Sequence, residues 1–379
     1  MFALVTRFNA DSDPIKVNLA PGTYKDPEGK PWVLPALQKA AEILLDTPTY
    51  NHEYLGIQGH LEFLRLAAQL TLGSSVSAVA SLQTVGGTGA CHIGAVFLKK
   101  LYDHTNKPLQ VFISDPSWEN HHAVFQHVGL QTRTYSMYDT QTKELDFVAM
   151  KATISAALEG SVIVLHACAH NPTGCDPSPE QWDELALLFK ERELIAFFDS
   201  AYQGSIETFL RGDVQLLVAQ SFSKNAGMYG ERLGALHVPC PTSRAADHVV
   251  DILKAITRRE ISTPPRFAAD LMTIVMSNPE LFQEWTEDIR TMSNRLSDMR
   301  KELVETLRRL GTPGDWTHIT KQRGMFSFTG LTAAQTRYLT DRCHIYLPPS
   351  GRLSVTGLTR LNMGYVTKSI DFAVRNIRE

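Results

Sequence analysis

Apolar residues along this chain fall into two kinds of stretch. Short unbroken runs read as strands: Leu109-Gln110-Val111-Phe112-Ile113-Ser114, Val162-Ile163-Val164-Leu165-His166, Leu194-Ile195-Ala196-Phe197-Phe198 and Leu216-Leu217-Val218-Ala219. Between them apolar positions recur at three and four, the period of a helix with one buried face. The clearest such helix follows Ser178. It has a serine N-cap, Pro179 at its first position, Gln181 completing a capping box, and Trp182, Leu185, Ala186 and Phe189 as its stripe. Pro35 opens another helix over 35–46, and a further one runs from about Leu61 to Leu70. Alternating strands and helices predict an α/β fold: a large domain with a mostly parallel sheet covered by helices on both faces.

Downstream the pattern changes. Trp285, Ile289, Met292, Leu296, Met299, Leu303, Leu307 and Leu310 form one continuous stripe, so a single long helix is expected from Trp285 to Leu310, suited to connecting two domains. Beyond Gly311-Thr312-Pro313-Gly314 the chain turns β-like at Gly324–Phe328 and His344–Leu347, and a last helix is expected from about Thr359 towards Arg378. The first thirty or so residues are rich in Pro, Gly, Asp and Lys, with a turn-like Asn18–Gly22 segment. The expected division is a large domain over 31–292, which carries the sheet, and a smaller α+β domain built from 1–30 and 293–379.

Composition adds mostly exclusions. A chain of 379 residues exceeds one small core, and a formal charge of −3 gives no field for nucleic acid or an anionic membrane. No apolar run reaches the length of a membrane-spanning helix, and the opening Met1–Arg7 lacks the layout of a secretory signal. The five cysteines are scattered and unpaired in sequence, which points to buried thiols in a reducing compartment.

In open α/β sheets ligands bind beyond the carboxyl ends of the strands, and that is where the polar residues of this chain collect. Asp199 ends an apolar run, so its carboxylate wants a cationic partner such as a protonated pyridine nitrogen. Lys224, between the hydroxyls of Ser221 and Ser223, is placed to condense with an aldehyde. Tyr202 and Asn171 can reach a ring oxygen, Trp118 offers a face for stacking, and His121 can hold Asp199 ionised. Gly87, Thr88, Ser221, Ser223 and Arg232 can cradle a phosphate, with Gly86-Gly87-Thr88-Gly89 opening a helix. Together these describe pyridoxal 5′-phosphate.

Two rival readings are weaker. His166, Cys168 and His170 suggest a zinc site, but on a continuing strand residues four apart lie roughly 13 Å from one another, so no metal is expected. The glycine turn at 86–89 lacks the following lysine and the early strand–turn–helix unit of a nucleotide-binding fold.

The segments Asn51–Tyr54, Gly86–Ala90, Trp118–His121, His166–Gly174, Phe198–Gly204, Ser221–Asn225, Met325–Gly330 and Pro349–Arg352 resemble those of the class I aspartate aminotransferases, from about Val17 to the end of the chain. The resemblance implies a fold-type I pyridoxal-phosphate enzyme, cytoplasmic (or of the mitochondrial matrix had a presequence been removed), moving an amino group between L-aspartate and 2-oxoglutarate. A broad-specificity aspartate/aromatic transaminase is the alternative. It implies Lys224 as the imine former and base, Asp199 on the pyridine nitrogen and Tyr202 and Asn171 on the ring oxygen. Arg352 would take the substrate α-carboxylate, with Gly22, Asn171 and Trp118 assisting. It also implies a homodimer with shared active sites, in which Tyr54 reaches the other subunit's cofactor phosphate and Arg258 the side-chain carboxylate of its substrate. The partners are thus small amino acids and 2-oxo acids. Departures from the family are a short N-terminal arm, Ala20-Pro21-Gly22-Thr23 at the early turn, and Arg259, Glu260 and Thr263 beside Arg258. They bear on dimer grip, small-domain closure and substrate breadth.

Overall fold

The structure, a computed structural model, describes residues 2–74, 76–103, 109–204 and 206–378. Its centre is a seven-stranded sheet in the order Val79–Val85, Leu233–Pro239, Leu216–Ser221, Ile195–Ser200, Val162–His166, Gln110–Asp115, Gln131–Ser136. Strand Leu233–Pro239 runs antiparallel to both neighbours, and the other pairings are parallel. All four expected runs are strands of this sheet.

Alternate residues of these strands feed different cores, as a period of two requires. Val111, Ile113, Val162, Val164, Phe197 and Leu217 pack with helices Gly86–Tyr102 and Ser243–Glu260 on one face. Phe112, Ile163, Leu165, Phe198 and Val218 pack with helices Phe147–Ser155 and Pro179–Glu191 on the other. Helix Pro179–Glu191 carries the expected capping box, with Ser178 accepting from the Gln181 N–H and Gln181 answering. Trp182 is only half-buried at the edge of its stripe.

A third core joins helices Pro35–Asp46, Phe267–Ser277 and Pro279–Arg309 to the last part of the chain. The two chain ends meet there: Val17–Asn18 pairs in parallel with Ile345–Tyr346, and Phe326–Phe328 pairs antiparallel with Arg352–Ser354. The long helix begins at Pro279 rather than Trp285, because Asn278 caps it by accepting from the Glu280 and Leu281 N–H groups. Its Trp285 indole donates 2.8 Å to the Asn225 carbonyl, next to Lys224.

Phe2–Ala10 forms a helix, an element that the sequence pattern of the first thirty residues does not predict. Leu4, Val5 and Phe8 are half-buried along one side, the Phe8 ring meets Tyr346 edge-on at 5.6 Å, and Arg7 pairs with Asp341 at 2.7 Å. The Asp115-Pro116 peptide bond, at a strand end, and the Asn171-Pro172 bond, in the loop after strand Val162–His166, are cis. No cysteine is paired; Cys91 and Cys343 are buried, and Cys168, Cys175 and Cys240 are half-buried.

Candidate active site

A cavity of about 200 Å³ opens where the carboxyl ends of the parallel strands meet the chain's last part. Its floor is Asp199, the fifth residue of strand Ile195–Ser200. In register beside it, on the parallel neighbour, stands His166. Burial alone would push the Asp199 carboxyl up. The hydrogen bond from His121 Nε2 at 3.0 Å, with the His121, His166 and Lys224 groups around it, outweighs it and holds the carboxyl below its usual range. An ionised carboxylate only accepts, so the Nε2 of this wholly buried ring carries the proton, and Ser117 Oγ lies 3.0 Å from its Nδ1.

Lys224 faces Asp199 across the cavity from the loop after strand Leu216–Ser221. Burial lowers its pKa, Asp199 raises it and Arg232 lowers it again; the net direction is down. The amine is therefore more readily neutral and nucleophilic than a solvated lysine.

One end of the cavity is an anion cradle. Arg232 Nη1 donates to Tyr229 O at 2.9 Å and to Ser223 Oγ at 3.4 Å, and the Ser223 N–H donates to Ser221 Oγ at 3.2 Å. Gly86 has φ +68°, and a Cβ there would stand 2.5 Å from Arg232 Nη2. Gly87 approaches Ser221 so closely that a Cβ would lie 2.9 Å from the serine Cβ. Gly87 and Thr88 thereby sit in the first turn of helix Gly86–Tyr102, whose free N–H groups and dipole favour a doubly charged anion.

The opposite end is built by Arg352. Its guanidinium lies 4.1 Å over the Phe326 ring, Nη2 donates to Ala20 O at 3.1 Å and Nη1 to Asn171 Oδ1 at 3.4 Å. Burial lowers its pKa, and its buried Nε has no partner among the described residues. Such a guanidinium suits a carboxylate. Gly22 presses on the same Phe326 ring, where a Cβ would come within 2.6 Å of Cζ. Trp118 and Tyr202 complete the lining; the Tyr202 hydroxyl accepts from the Met325 N–H at 3.4 Å, and burial pushes its pKa up.

Twelve expected site residues thus line one cavity: Gly22, Gly87, Thr88, Trp118, Asn171, Asp199, Tyr202, Ser221, Ser223, Lys224, Arg232 and Arg352. His121 stands behind Asp199. Tyr54 and Arg258 do not line it. Tyr54 is 87% exposed on a loop beside Pro264 and Pro265, and Arg258 is exposed in the last turn of helix Ser243–Glu260, donating to Ser262 Oγ at 2.5 Å.

His166 and His170 are neighbours, not the roughly 13 Å apart that a continuing strand would set. Their rings meet edge-on with centroids 4.4 Å apart. The strand ends at His166, and Ala169 at φ +52° folds the chain back. His170 is engaged at both nitrogens, by Ser114 Oγ at 2.8 Å and Thr173 Oγ1 at 2.7 Å. The metal-capable group among the described residues is instead Cys91, His121 and Asp199, where burial keeps the Cys91 thiol protonated and both His121 nitrogens have partners. Sequence reasoning missed Phe326 and His166 as lining residues. The alternating Phe326-Ser327-Phe328 run and the position of His166 at a strand end were the available signals.

An amine, a carboxylate, an anion cradle and a carboxylate-binding arginine in one cavity at the strand ends make an enzyme site for small charged molecules. The chain matches aminotransferase class I and II over residues 14–377 and belongs to that family. It is 42% identical to the cytoplasmic aspartate aminotransferase of Gallus gallus, over 100% of this chain and 96% of that one. The solved cytoplasmic aspartate aminotransferase of Saccharomyces cerevisiae matches with a TM-score of 0.95 and 40% identity, over 99% of this chain and 95% of that one. An aromatic-amino-acid aminotransferase from Burkholderia pseudomallei, covalently bound to pyridoxal phosphate, matches with a TM-score of 0.94 and 36% identity, over 98% and 96%.

Proposed function

We propose that this protein is a pyridoxal-phosphate-dependent aspartate aminotransferase, converting L-aspartate and 2-oxoglutarate to oxaloacetate and L-glutamate in two half-reactions. The observation that carries the reading is the placing of Lys224 and Asp199 between an anion cradle and Arg352 in one cavity. The residues fit the cofactor: the glycine cradle leaves room for a phosphate where any Cβ would strike Arg232 or Ser221, and Asp199 is held ionised where a ring nitrogen would need it.

Bound there, pyridoxal phosphate supplies an aldehyde carbon that condenses with amines and a ring that accepts electrons. Gly87, Thr88, Ser221, Ser223 and Arg232 would hold its phosphate, Asp199 its ring nitrogen, Tyr202 and Asn171 its ring oxygen, and Trp118 its face. Lys224 would hold the aldehyde carbon through its amine. Once free, that amine would be placed to take and return a proton at the substrate α-carbon. Arg352 orients the substrate by its α-carboxylate, and Gly22 and Phe326 fix the height of that guanidinium.

The same reading makes the enzyme a homodimer with shared sites. Its support is that Tyr54 and Arg258, which the family pattern assigns to a neighbouring subunit's site, stand exposed outside this chain's cavity. Division into a large domain over 31–292 and a smaller one from 1–30 and 293–379 goes with it, as does a cytoplasmic setting, after the relatives so named. No helix among the described residues is long and apolar enough to cross a membrane. The second reading, breadth towards aromatic amino acids, is favoured by the likeness to the Burkholderia enzyme.

The test is a visible spectrum of the purified protein. L-aspartate should move the cofactor band to shorter wavelength and 2-oxoglutarate should restore it. A spectrum indifferent to both would sink the reading. Turnover with tyrosine matching that with aspartate would favour the broader enzyme.

A further inference from the structure

Arg300 is a buried cation that faces main-chain carbonyls. It sits on the long helix Pro279–Arg309, is 3% exposed, and no acidic side chain among the described residues lies within ion-pair distance of it. Main-chain carbonyls answer two of its three nitrogens: Nε donates to Gln322 O at 3.0 Å, and Nη2 donates to Gly324 O at 3.1 Å and Phe326 O at 2.6 Å, while the buried Nη1 has no partner among the described residues. Such burial is costly without a purpose, and a Leu or Met would fill the same stripe.

The carbonyls it gathers bracket one residue. Gly324 and Phe326 flank Met325, whose N–H points at the Tyr202 hydroxyl 3.4 Å away. The segment is pressed from the other side too. A Cβ on Gly324, at φ +82°, would stand 2.6 Å from the Ala169 Cβ, and the Arg323 N–H donates 2.8 Å to Gly174 O. Arg300 thus fixes the direction of one N–H. A phenol that accepts from the protein has its own proton free to donate into the cavity. Without that N–H the hydroxyl can turn and spend its proton on a carbonyl instead.

We infer that Arg300 is a positioning residue for the transamination site: acting through Met325, it orients the Tyr202 hydroxyl so that its proton is donated into the cofactor cavity. The inference rests on the reading of Tyr202 as a ring-oxygen contact. It assigns a functional task to an arginine that touches neither substrate nor cofactor.

The experiment is a double-mutant cycle on the cofactor-loaded enzyme, with Arg300→Lys and Arg300→Met each made in the native and Tyr202→Phe backgrounds. Two readouts are taken: kcat for aspartate, and the pH midpoint of the visible cofactor band. In the native background both Arg300 variants should lower kcat about tenfold and move the midpoint in the direction that Tyr202→Phe moves it, Lys less than Met. In the Tyr202→Phe background neither should add a further loss or shift. Equal losses in both backgrounds, or a midpoint unmoved by the Arg300 variants while Tyr202→Phe shifts it, would overturn the inference and leave the reading of Tyr202 intact. A Tyr202→Phe enzyme with native kcat and midpoint would overturn both. Should Arg300→Met fail to fold, the Lys variant alone carries the cycle.

Discussion

His121 and Asp199 meet at 3.0 Å at the back of the cavity, and the histidine is wholly buried. This contact keeps a carboxylate charged in a place where burial would protonate it. Asp199 is therefore an acid-side group: its charged form is present above its depressed pKa and is lost as pH falls through it. Replacing His121 with Phe should move the acid limb of the kcat/KM profile to higher pH, and an unmoved limb would remove His121 from this role.

Lys224→Ala should abolish the visible cofactor band and lower turnover by at least about 10²–10⁴-fold, the range for a lost proton-transfer group. Absorbance spectra and a coupled assay check this. A variant that keeps both would displace Lys224 from the centre of the site.

Arg258→Gln should weaken kcat/KM for aspartate about 10- to 100-fold more than for phenylalanine, because only aspartate loses a charge-assisted hydrogen bond. Equal losses on the two substrates would show that Arg258 does not select the side-chain carboxylate.

Gly86→Ala forces a Cβ to within 2.5 Å of Arg232 Nη2 at a φ of +68°. The guanidinium must shift, so cofactor affinity should fall about tenfold or more while backbone strain costs about 1–3 kcal/mol. Titration with pyridoxal phosphate and thermal melting separate the two effects; unchanged affinity would mean that Arg232 does not bear on the phosphate.

His344 sits between Asp11 Oδ2 at 2.7 Å and Asp13 Oδ2 at 3.3 Å, and the Asp11 hydrogen bond raises its pKa. A histidine raised on folding stabilises below its unfolded pKa, near 6.5, and loses that contribution as pH rises through the folded value. The Tm loss in His344→Ala should accordingly be larger at about pH 6 than at about pH 9. Equal losses at the two would mean that the histidine acts by packing alone.

The sheet and most of the cavity are legible in the sequence because apolar runs ending in polar residues mark both a strand and its active end. Asp199, Asn171 and Lys224 were visible in this way. The approach of His166 to His170 was not, since it depends on a left-handed Ala169, and alanine carries no signal for that conformation. Arg300 was equally hidden, because an arginine inside an amphipathic helix reads as solvated until the carbonyls facing it are known. The apolar stripe from Trp285 onwards hides the true start of the long helix, which only the capping signal Asn278-Pro279 marks. Tyr54 and Arg258 came from resemblance alone, and neither lines the cavity of its own chain.

One helix of 31 residues bonds to the chain beside Lys224 through Trp285 and gathers the carbonyls around Met325 through Arg300. The separation of those two positions along the helix therefore sets the separation of the two contacts they make. Deleting a single residue between them would turn the far end by about 100° and draw it in by about 1.5 Å, without altering any side chain in the cavity. The number of residues along this rod constrains the enzyme as its chemistry does, so point substitutions there should be tolerated far better than insertions or deletions.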